Sequence, residues 1–324
     1  MKHFLSLWDL EGNQLTYLLQ EAIRLKAAHQ RGERPPVLAG RVLGLVFEKQ
    51  SLRTRASFEA AMAQMGGTSV FLSNPDGAMG VRESVPDFAR TLSQYADAVV
   101  LRTFRHKTVE DFAAYSACPV INGLSDTEHP CQALADLMTV QEVFGEIHGR
   151  TLVFVGDGNN VARSLAVGCG KLGARFILAS PDGYGFDESF LHDYRRCCQA
   201  GELVQNGDPR HAVDRADIIY TDVWTSMGQE AERELRLQRF AGYQVNADLL
   251  ALAPGHTRVM HCLPAHRGEE VTGDVLDGDR SIAFQQAGNR MHAQKALLKW
   301  LLLEQKAENG ASVPAGRAAS GRVP

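Results

Sequence analysis

The chain has 324 residues, of which 44% are apolar, and a formal net charge of −4 from 34 basic and 38 acidic residues. This length exceeds one ordinary core and suits two α/β domains of about 150 residues each. The near balance of charge excludes a global field that draws a protein to nucleic acid or to an anionic membrane, so any cationic site is local.

The sequence carries no signal for a membrane or secretory location. No apolar run approaches the roughly 20 residues of a membrane span, and Asp9 stands where a signal peptide stays apolar. The six cysteines show no CxxC spacing, and no cluster has the ligand spacing of a zinc or calcium site. We therefore expect a cytoplasmic protein with reduced thiols.

The first half alternates predicted strands and helices. Leucines and alanines at helical spacing from Leu15 to Leu25 predict an amphipathic first helix. The following predicted elements are a strand at 42–47, a helix at 56–65, a strand at 68–72, a loop at 73–82, a helix at about 85–95, a strand at 98–102, a strand at 120–122 and a helix at 129–143. This alternation predicts a largely parallel sheet.

A second alternation follows a boundary expected near residues 147–150. Its predicted elements are strands at 151–155, 175–179, 218–221 and 258–262 and a last helix at 291–305. We predict an α/β fold of two domains, residues 1–148 and 149–290, each a parallel sheet flanked by helices, with the C-terminal helix returning to the first domain. Residues 309–324 have little apolar bulk, which predicts a disordered tail.

Two arginines lie where a helix is predicted to begin. Ser51, Leu52, Arg53, Thr54 and Arg55 follow the first apolar strand. A helix start carries roughly half a positive charge and unpaired N–H groups, so cations there are unfavourable unless an anion lies among them. Phosphate is the anion that this pattern favours. An exposed arginine pair with Ser51 as the N-cap is the alternative.

Further polar residues follow other strands of the first half. Arg102 ends one strand, and His129 and Gln132 follow the loop after the next. Ligands of parallel sheets bind outside the carboxyl ends of the strands. Alone, Arg102 suits a surface ion pair and His129 a structural role. Their shared position predicts that they face the same point as both arginines of the helix start.

The second half has a glycine-containing turn and a polar segment after its strands. Gly156 and Gly158 are spaced as in GxGxxG, but Val161 holds the third glycine position, which argues against NAD or FAD. Asn160 instead offers an amide suited to a carboxylate or amino group. The segment 222–228 contains a carboxylate, a hydroxyl and a flexible methionine, which suits an amino-acid ligand. A helix N-cap followed by core residues is the alternative.

A thiol lies at the end of the last predicted strand, in the sequence His261-Cys262-Leu263-Pro264. A nucleophilic cysteine needs a nearby base and a lowered pKa. Side chains alternate along a strand, so His261 should point to the opposite face from Cys262. We therefore expect Cys262 to bind or position a group without covalent catalysis. Arg290, near the last helix, is a further cation that can face the cleft.

These motifs together resemble those of the aspartate/ornithine carbamoyltransferase family, over nearly the whole chain up to about residue 305. Residues 51–55 are similar to its S-T-R-T-R motif and residues 129–132 to its H-P-x-Q motif. Residues 222–228 and 261–264 are similar to the D-x-W-x-S-M-G and H-C-L-P motifs of its ornithine-specific members. The resemblance implies an enzyme of arginine metabolism that transfers the carbamoyl group of carbamoyl phosphate to the δ-amine of L-ornithine, giving L-citrulline and phosphate.

The resemblance also implies roles for individual residues. Carbamoyl phosphate would contact Ser51, Leu52, Arg53, Thr54, Arg102, His129, Gln132, Cys262, Leu263 and Arg290. The amino-acid end of ornithine would contact Asn160, Asp222, Ser226 and Met227. The catalytic groups among them would be Arg53, Arg102, His129, Cys262 and Arg290. Family members attack directly without a covalent intermediate, need no metal or organic cofactor, and form homotrimers with sites at subunit interfaces.

Four positions depart from the family pattern. Leu52 replaces a threonine, a mild change if that position contributes its backbone N–H. Ala78 stands where many relatives carry a glutamine or histidine that reaches a neighbouring subunit's phosphate site. Gln286 and Gly288 replace acidic residues before Arg290, which predicts a weaker hold on that arginine.

Three alternatives remain open at this stage. A catalytically silent paralogue could bind carbamoyl phosphate or an amino acid as a sensor, but intact Arg53, His129 and Cys262 argue against it. The carbamoyl acceptor could also be putrescine, acetylornithine or aspartate. Asp222 favours an acceptor with a free α-amino group, which disfavours acetylornithine and gives putrescine less to contact. A nicotinamide-dependent dehydrogenase is weakened by the missing glycine.

Overall fold

The computed structural model describes residues 3–73, 79–225 and 230–304. The strands within these ranges are β1 (Val42–Phe47), β2 (Thr68–Ser73), β3 (Ala98–Arg102), β4 (Val120–Leu124), β5 (Thr151–Val155), β6 (Arg175–Ala179), β7 (Glu202–Asn206), β8 (Ile218–Thr221) and β9 (Arg258–His261). They form two fully parallel sheets, in the orders β2-β1-β3-β4 and β7-β6-β5-β8-β9. The prediction of two parallel sheets flanked by helices is confirmed.

Helices cover both sheets. In chain order they are α1 (Gly12–Gln30), α2 (Leu52–Gln64), α3 (Val85–Leu92), α4 (His106–Tyr115), α5 (Pro130–Phe144), α6 (Asn160–Lys171), α7 (Glu188–Cys197), α8 (Pro209–Ala212), α9 (Arg233–Arg239), α10 (Ala247–Leu252), α11 (Gly273–Leu276) and α12 (Ala283–Lys299). A π-helical turn, Trp300–Glu304, ends the described chain. Among the described residues, no helix combines the length and apolar character needed to cross a bilayer.

Alternating side chains of the strands divide the apolar interior into three clusters. In β1, Leu43 and Leu45 point into a central core, whereas Val46 points to an outer cluster beneath α3 and α4. In β5, Phe154 joins the same central core, and Val153 joins a third cluster on the outer face of the second sheet. The central core therefore includes residues from both sheets, and buried residues of α5, α6 and α12 fill it.

The C-terminal helix returns to the first half, as predicted. Helix α12 packs against α1, α2 and α5. Lys299 Nζ donates to Glu21 of α1 at 2.8 Å, Lys295 Nζ to Gln64 of α2 at 2.5 Å, and Asn289 Nδ2 to Thr139 of α5 at 2.8 Å. These contacts fix the helix that carries Arg290.

Several element boundaries differ from the sequence prediction. Helix α12 begins at residue 283, eight residues earlier than the predicted start at 291, although its first turns contain glutamines and a glycine. Two of these early residues, Ala283 and Gln286, are fully buried. Strand β7 escaped prediction because it is an edge strand with only two apolar residues in Glu202–Asn206. Both segments are stabilised by tertiary contacts that a sequence pattern does not contain.

Candidate active site

The carboxyl ends of both sheets meet at one cavity of about 370 Å³. In each sheet the strand order reverses between two adjacent strands, β1 and β3 in the first and β5 and β8 in the second. Such switch points open a crevice in which ligands of parallel sheets bind. Twelve of the predicted site residues line the cavity: Ser51, Leu52, Arg53, Thr54, Arg102, His129, Gln132, Asn160, Asp222, Cys262, Leu263 and Arg290. Ser226, Met227 and Ala78 lie outside the described residues.

The first wall is cationic. Ser51 caps α2, its Oγ accepting the N–H of Thr54 at 3.3 Å. Burial, followed by the charges of Arg290 and Arg53, lowers the pKa of Arg102 to about 10. Arg102 Nε is buried without a hydrogen-bond partner among the described residues. Three guanidinium groups beside a helix start make an anion site, since a bound anion would offset their mutual repulsion.

Arg55 does not belong to this wall, which corrects the prediction that both arginines of the helix start face one point. Its Nε donates to Glu59 at 2.9 Å, and its guanidinium lies 3.8 Å from the centre of the Phe71 ring. Residues two positions apart on a helix point about 200° apart, so Arg53 and Arg55 face opposite ways. Arg290 supplies the third cation instead.

The floor of the cavity joins His129, Gln132 and Arg290. His129 occupies the N-cap position of α5, and its backbone N–H donates to Ser164 Oγ at 2.9 Å. Burial and the nearby Arg290 and Arg102 hold the pKa of His129 well below its usual value. The imidazole is therefore neutral near pH 7 and acts as a hydrogen-bonding group.

Arg290 is firmly held, so the expectation of a weak hold is not supported. Its Nη1 donates to Gln132 Oε1 at 2.5 Å and its Nη2 to Thr54 Oγ1 at 3.3 Å. Gly288 is exposed, and Gln286 contacts other buried groups. Leu52, where the family has a threonine, also leaves the site intact. Its side chain is 79% exposed, so the exchange of threonine for leucine leaves the N–H groups of the helix start unchanged.

The second wall carries the carboxylate of Asp222. Asp222 Oδ1 accepts the thiol of Cys262 at 2.9 Å, and Oδ2 accepts Asn159 Nδ2 at 2.9 Å. Burial and the carboxylate of Asp222 hold the pKa of Cys262 well above its usual value. A protonated thiol is a poor nucleophile, which agrees with a role for Cys262 in binding or positioning. Asn160 Nδ2 donates to the backbone oxygen of Ser125 at 2.6 Å, across to the first half.

The buried pair of His261 and Glu270 holds the loop that contains Cys262 and Leu263. His261 Nδ1 accepts the N–H of Leu263 at 2.8 Å, so its Nε2 carries the proton and donates to Glu270 Oε1 at 3.0 Å. The same carboxylate oxygen accepts the N–H of His266 at 2.6 Å. Leu263 has a φ of 57°, a left-handed conformation that is strained for a leucine. The strand alternation predicted that His261 points away from Cys262, but a ring nitrogen of His261 lies within 4.8 Å of Cys262 Sγ, because β9 ends at His261 and the alternation does not extend to Cys262.

Two further features of the cavity concern a dinucleotide and a metal ion as possible ligands. A Cβ at Gly158 would lie 3.0 Å from the backbone of Gly185, so this glycine accommodates the chain's own loop. Asp222, His261 and Cys262 bring three atoms of metal-ligand type within 4.8 Å of one another. Two of these atoms already have hydrogen-bond partners, since Cys262 Sγ donates to Asp222 Oδ1 and His261 Nδ1 accepts the N–H of Leu263.

Sequence reasoning missed some residues of the site. Lys49, Gln50 and His266 line the cavity, and each adjoins a motif that was recognised. Asn159 was missed although it precedes Asn160; its side chain caps α6 and reaches Asp222. Glu270 left no local signal, because its partner His261 lies nine residues away.

Comparisons with known proteins agree with this geometry. Residues 2–142 match the carbamoyl-P binding domain of aspartate/ornithine carbamoyltransferase, and residues 148–301 match its Asp/Orn binding domain. The chain is 50% identical to ornithine carbamoyltransferase of Bacillus subtilis over 93% of this chain and 94% of that protein. It is 49% identical to the Anoxybacillus flavithermus enzyme of the same name, over 93% and 96%. A solved structure of ornithine carbamoyltransferase from Pyrococcus furiosus matches with a TM-score of 0.90 and 47% identity, over 93% of this chain and 97% of that one.

Two parallel sheets with facing switch points, one lined by cations and the other by a carboxylate, define a two-substrate α/β transferase. The cavity thus has a cationic side and a side with a carboxylate, which suits two different ligands. The two matching domain models and the similar proteins then identify the transferase family. The chain belongs to the aspartate/ornithine carbamoyltransferase family.

Proposed function

We propose that the chain transfers the carbamoyl group of carbamoyl phosphate to the δ-amine of L-ornithine, giving L-citrulline and phosphate. The observation that carries this proposal is the cavity itself, in which three guanidinium groups face Asp222 and Asn160. The cationic wall suits a phosphorylated donor, and the opposite wall suits the charged groups of an amino acid. The similarity to ornithine carbamoyltransferases over more than nine tenths of the chain supports the same assignment.

The donor belongs to the first wall in this proposal. Ser51, Leu52, Arg53, Thr54 and Arg102 bind the phosphate, with N–H groups of the α2 start and guanidinium groups as donors. His129, Gln132 and Arg290 surround the carbamoyl group, and Cys262 and Leu263 close over it. Residues 1–148 with α12 then form the carbamoyl-phosphate domain.

The acceptor belongs to residues 149–290. Asp222 and Asn160 bind the α-amino and α-carboxylate groups of ornithine. We assign the same substrate group to Ser226 and Met227, which lie outside the described residues. Such a site holds an amino acid at its charged end and leaves the δ-amine free to reach the carbamoyl carbon. Putrescine offers Asp222 no α-amino-acid end, and acetylornithine offers no free α-amino group.

The reaction proceeds by direct attack. The neutral δ-amine forms a C–N bond to the carbamoyl carbon, the C–O bond to phosphate breaks, and the proton released from the amine passes to the departing phosphate. Arg53, Arg102 and Arg290 stabilise the developing oxyanion and the departing phosphate, and neutral His129 donates a hydrogen bond to the carbonyl oxygen. The raised pKa of the Cys262 thiol supports a mechanism without a covalent intermediate.

A carbamoyl-transfer assay that measures phosphate release and the carbamoylated product, which is citrulline for ornithine, tests the proposal. The acceptors are L-ornithine, putrescine, N-acetylornithine and L-aspartate at matched concentrations. We expect turnover with ornithine that exceeds the others by at least about a hundredfold, because the charged groups of the acceptor site would otherwise be unpaired. Turnover with another amine alone would overturn the substrate, and binding of carbamoyl phosphate without any turnover would favour a sensor.

We also propose a homotrimer with active sites near subunit interfaces. Several large apolar side chains of the first half are exposed in the single chain: Leu52, Val70, Val81, Tyr95 and Phe104. An apolar cavity of about 270 Å³ lies beside β2 and α3. Exposed apolar surface of this kind marks protein interfaces. Sedimentation equilibrium should give three times the chain mass of 35.5 kDa, and a monomer would contradict the proposal.

A further inference from the structure

A buried chain of hydrogen bonds runs behind the cavity from one wall to the other. Arg290 donates to Gln132 Oε1, and Gln132 Nε2 donates to Asp136 Oδ1 at 2.7 Å. Gln286 Nε2 donates to the same Oδ1 at 2.7 Å, and Gln286 Oε1 accepts the backbone N–H of His261 at 3.0 Å. Asp136 and Gln286 are fully buried. The chain therefore joins the carbamoyl side of the cavity to β9, the strand that leads into Cys262.

Every donor and acceptor in this chain is fixed by its neighbours. A guanidinium and a peptide N–H can only donate, so carbonyl oxygens of Gln132 and Gln286 must face Arg290 and His261. Both amide NH₂ groups then point to Asp136, which accepts them as a carboxylate. Tyr220 OH donates to its other oxygen at 3.0 Å. A carboxylate at position 286 would have no proton to give to Asp136.

We propose that Gln286 is a positioning residue for the transfer reaction, because its amide fixes the Arg290–Gln132 pair relative to the loop of Cys262 and Leu263. Gln286 does not line the cavity, so it acts through these groups. The inference rests on the proposed function for the identity of the reaction. Its geometry is specific, since one amide bonds both to a carboxylate of α5 and to the last residue of β9.

The charge of the cluster makes the proposal testable by pH. Burial raises the pKa of Asp136 to about 7, while its hydrogen bonds and Arg290 oppose the rise. The cluster thus carries one negative charge at alkaline pH. In Gln286→Glu, two carboxyl groups share one proton near neutral pH, because the charge of the first carboxylate raises the pKa of the second carboxyl. The titratable groups around them are Tyr220, His261, Arg290, Cys169, Cys262 and Cys131.

The first experiment compares kcat and KM of Gln286→Glu and Gln286→Met with those of the unaltered enzyme between pH 6.5 and 9.5. At pH 6.5 the shared proton completes the hydrogen bond, so Gln286→Glu should retain activity within about threefold. At pH 9.5 its kcat relative to the unaltered enzyme should fall at least tenfold, as the second carboxyl ionises. Gln286→Met lacks the three hydrogen bonds that the amide makes with Asp136, Tyr220 and His261, and its kcat should be at least tenfold lower at every pH.

Gln285→Glu is the matched control, since it makes the same chemical change one residue earlier, where the side chain is exposed. The ratio of its kcat to that of the unaltered enzyme should not change with pH. A merely structural role would lower Tm in the Gln286 variants and leave kcat and the pH profile of the folded enzyme unchanged, which would overturn the proposal. If Gln286→Met does not fold, the pH profile of Gln286→Glu decides alone.

The double variant Asp136→Asn with Gln286→Glu directly tests the hydrogen bond between positions 136 and 286. It keeps one carboxylate and one amide in the cluster, so it should recover at least fivefold in kcat over Asp136→Asn alone at pH 9.5. Additive losses would contradict the coupling. Failure of the proposed function is a separate outcome, visible as lack of citrulline formation by the unaltered enzyme; the variants are then compared with whichever acceptor turns over.

Discussion

At the residue scale, Arg102 is repelled by the nearby charges of Arg53 and Arg290, and a bound anion would reduce this repulsion. Arg102 is 6% exposed, lies at the end of β3 and faces Arg53 and Arg290. Burial and these charges lower its pKa to about 10, so the folded state disfavours the ionised guanidinium relative to the unfolded chain. The arginine is therefore retained at the expense of the stability of the ligand-free protein, as functional sites often require.

Arg102→Met should raise the stability of the ligand-free protein. The variant removes a disfavoured charge and keeps apolar volume, which should stabilise the fold by on the order of 2 kcal/mol and raise Tm by roughly 2 to 4 °C. Inorganic phosphate should raise Tm of the unaltered protein and have little effect on Arg102→Met. A lower Tm of the variant in phosphate-free buffer would show that Arg102 contributes mainly packing.

Arg53 and Arg55 form a natural pair for testing the anion site. Arg53 lines the cavity, whereas Arg55 pairs with Glu59 on the outer surface. Arg53→Ala should lower kcat/KM by at least about a hundredfold, or roughly 2.7 kcal/mol of transition-state stabilisation. Arg55→Ala, with the same change of charge two residues away, should stay within about threefold. Steady-state kinetics that find both variants equally impaired would mean a general loss of charge at the helix start.

Much of the site could be predicted because its residues follow strands directly. Arg102 ends an apolar strand, Asp222 directly follows one and Ser51 lies four residues after one, and parallel topology brings such ends together. The prediction that Arg55 faces the site was wrong, because the position of a strand end does not determine which way each side chain of the following helix points. The bond between Gln286 and Asp136 could not be predicted, since 150 residues separate the partners and each looks unremarkable locally.

Helix α12 is the element that most links function to stability. One part of it carries Gln286 and Arg290, and the next turns bury His292 and Lys295 against α1 and α2. The rings of His29 and His292 lie 5.3 Å apart, and burial lowers the pKa of Lys295 to about 8. The helix therefore depends on histidines that remain uncharged.

The docking of α12 should weaken on acidification. Burial, then Lys295, His29 and Lys26, lower the pKa of His292 to about 4, and Glu142 opposes them weakly. The unfolded chain takes up this proton near pH 6.5, and the folded protein only near 4. The contribution is thus complete above about pH 6.5 and is lost as pH falls to 4, by on the order of 2 to 3 kcal/mol.

Comparison with His292→Phe isolates this effect. Glu128 and Asp136 have raised pKa values of about 7, so their titration favours the folded state at low pH and partly masks the histidine. The quantity to measure is the difference in unfolding free energy between the two proteins, from urea titrations at pH 4 to 8. This difference should move in favour of the variant as pH falls. A constant difference would mean that the pKa of His292 is the same in the folded and unfolded states.

At the scale of the whole molecule, the two halves share one interior. The central core contains Leu45 and Ile121 of the first sheet together with Phe154 and Tyr220 of the second. The 3₁₀ turn Leu7–Asp9 also crosses the junction, where Lys171 Nζ donates to the backbone oxygens of Trp8 and Leu10. The division into residues 1–148 and 149–290 is therefore a proposal about substrates, and the packing favours a single cooperative unit.

This shared core predicts one unfolding transition. The three tryptophans sample different regions: Trp8 packs on Phe190 at the junction, Trp224 on Phe240 in the second half, and Trp300 ends α12. Three variants that each keep one tryptophan and replace the other two by phenylalanine should show coincident midpoints in guanidinium chloride, equal to that of far-UV circular dichroism. Independent domain cores would instead separate the midpoints of Trp224 and Trp300. If phosphate binds the cationic wall alone, as we propose, it should then shift all three midpoints together, because stabilising part of a cooperative unit stabilises all of it.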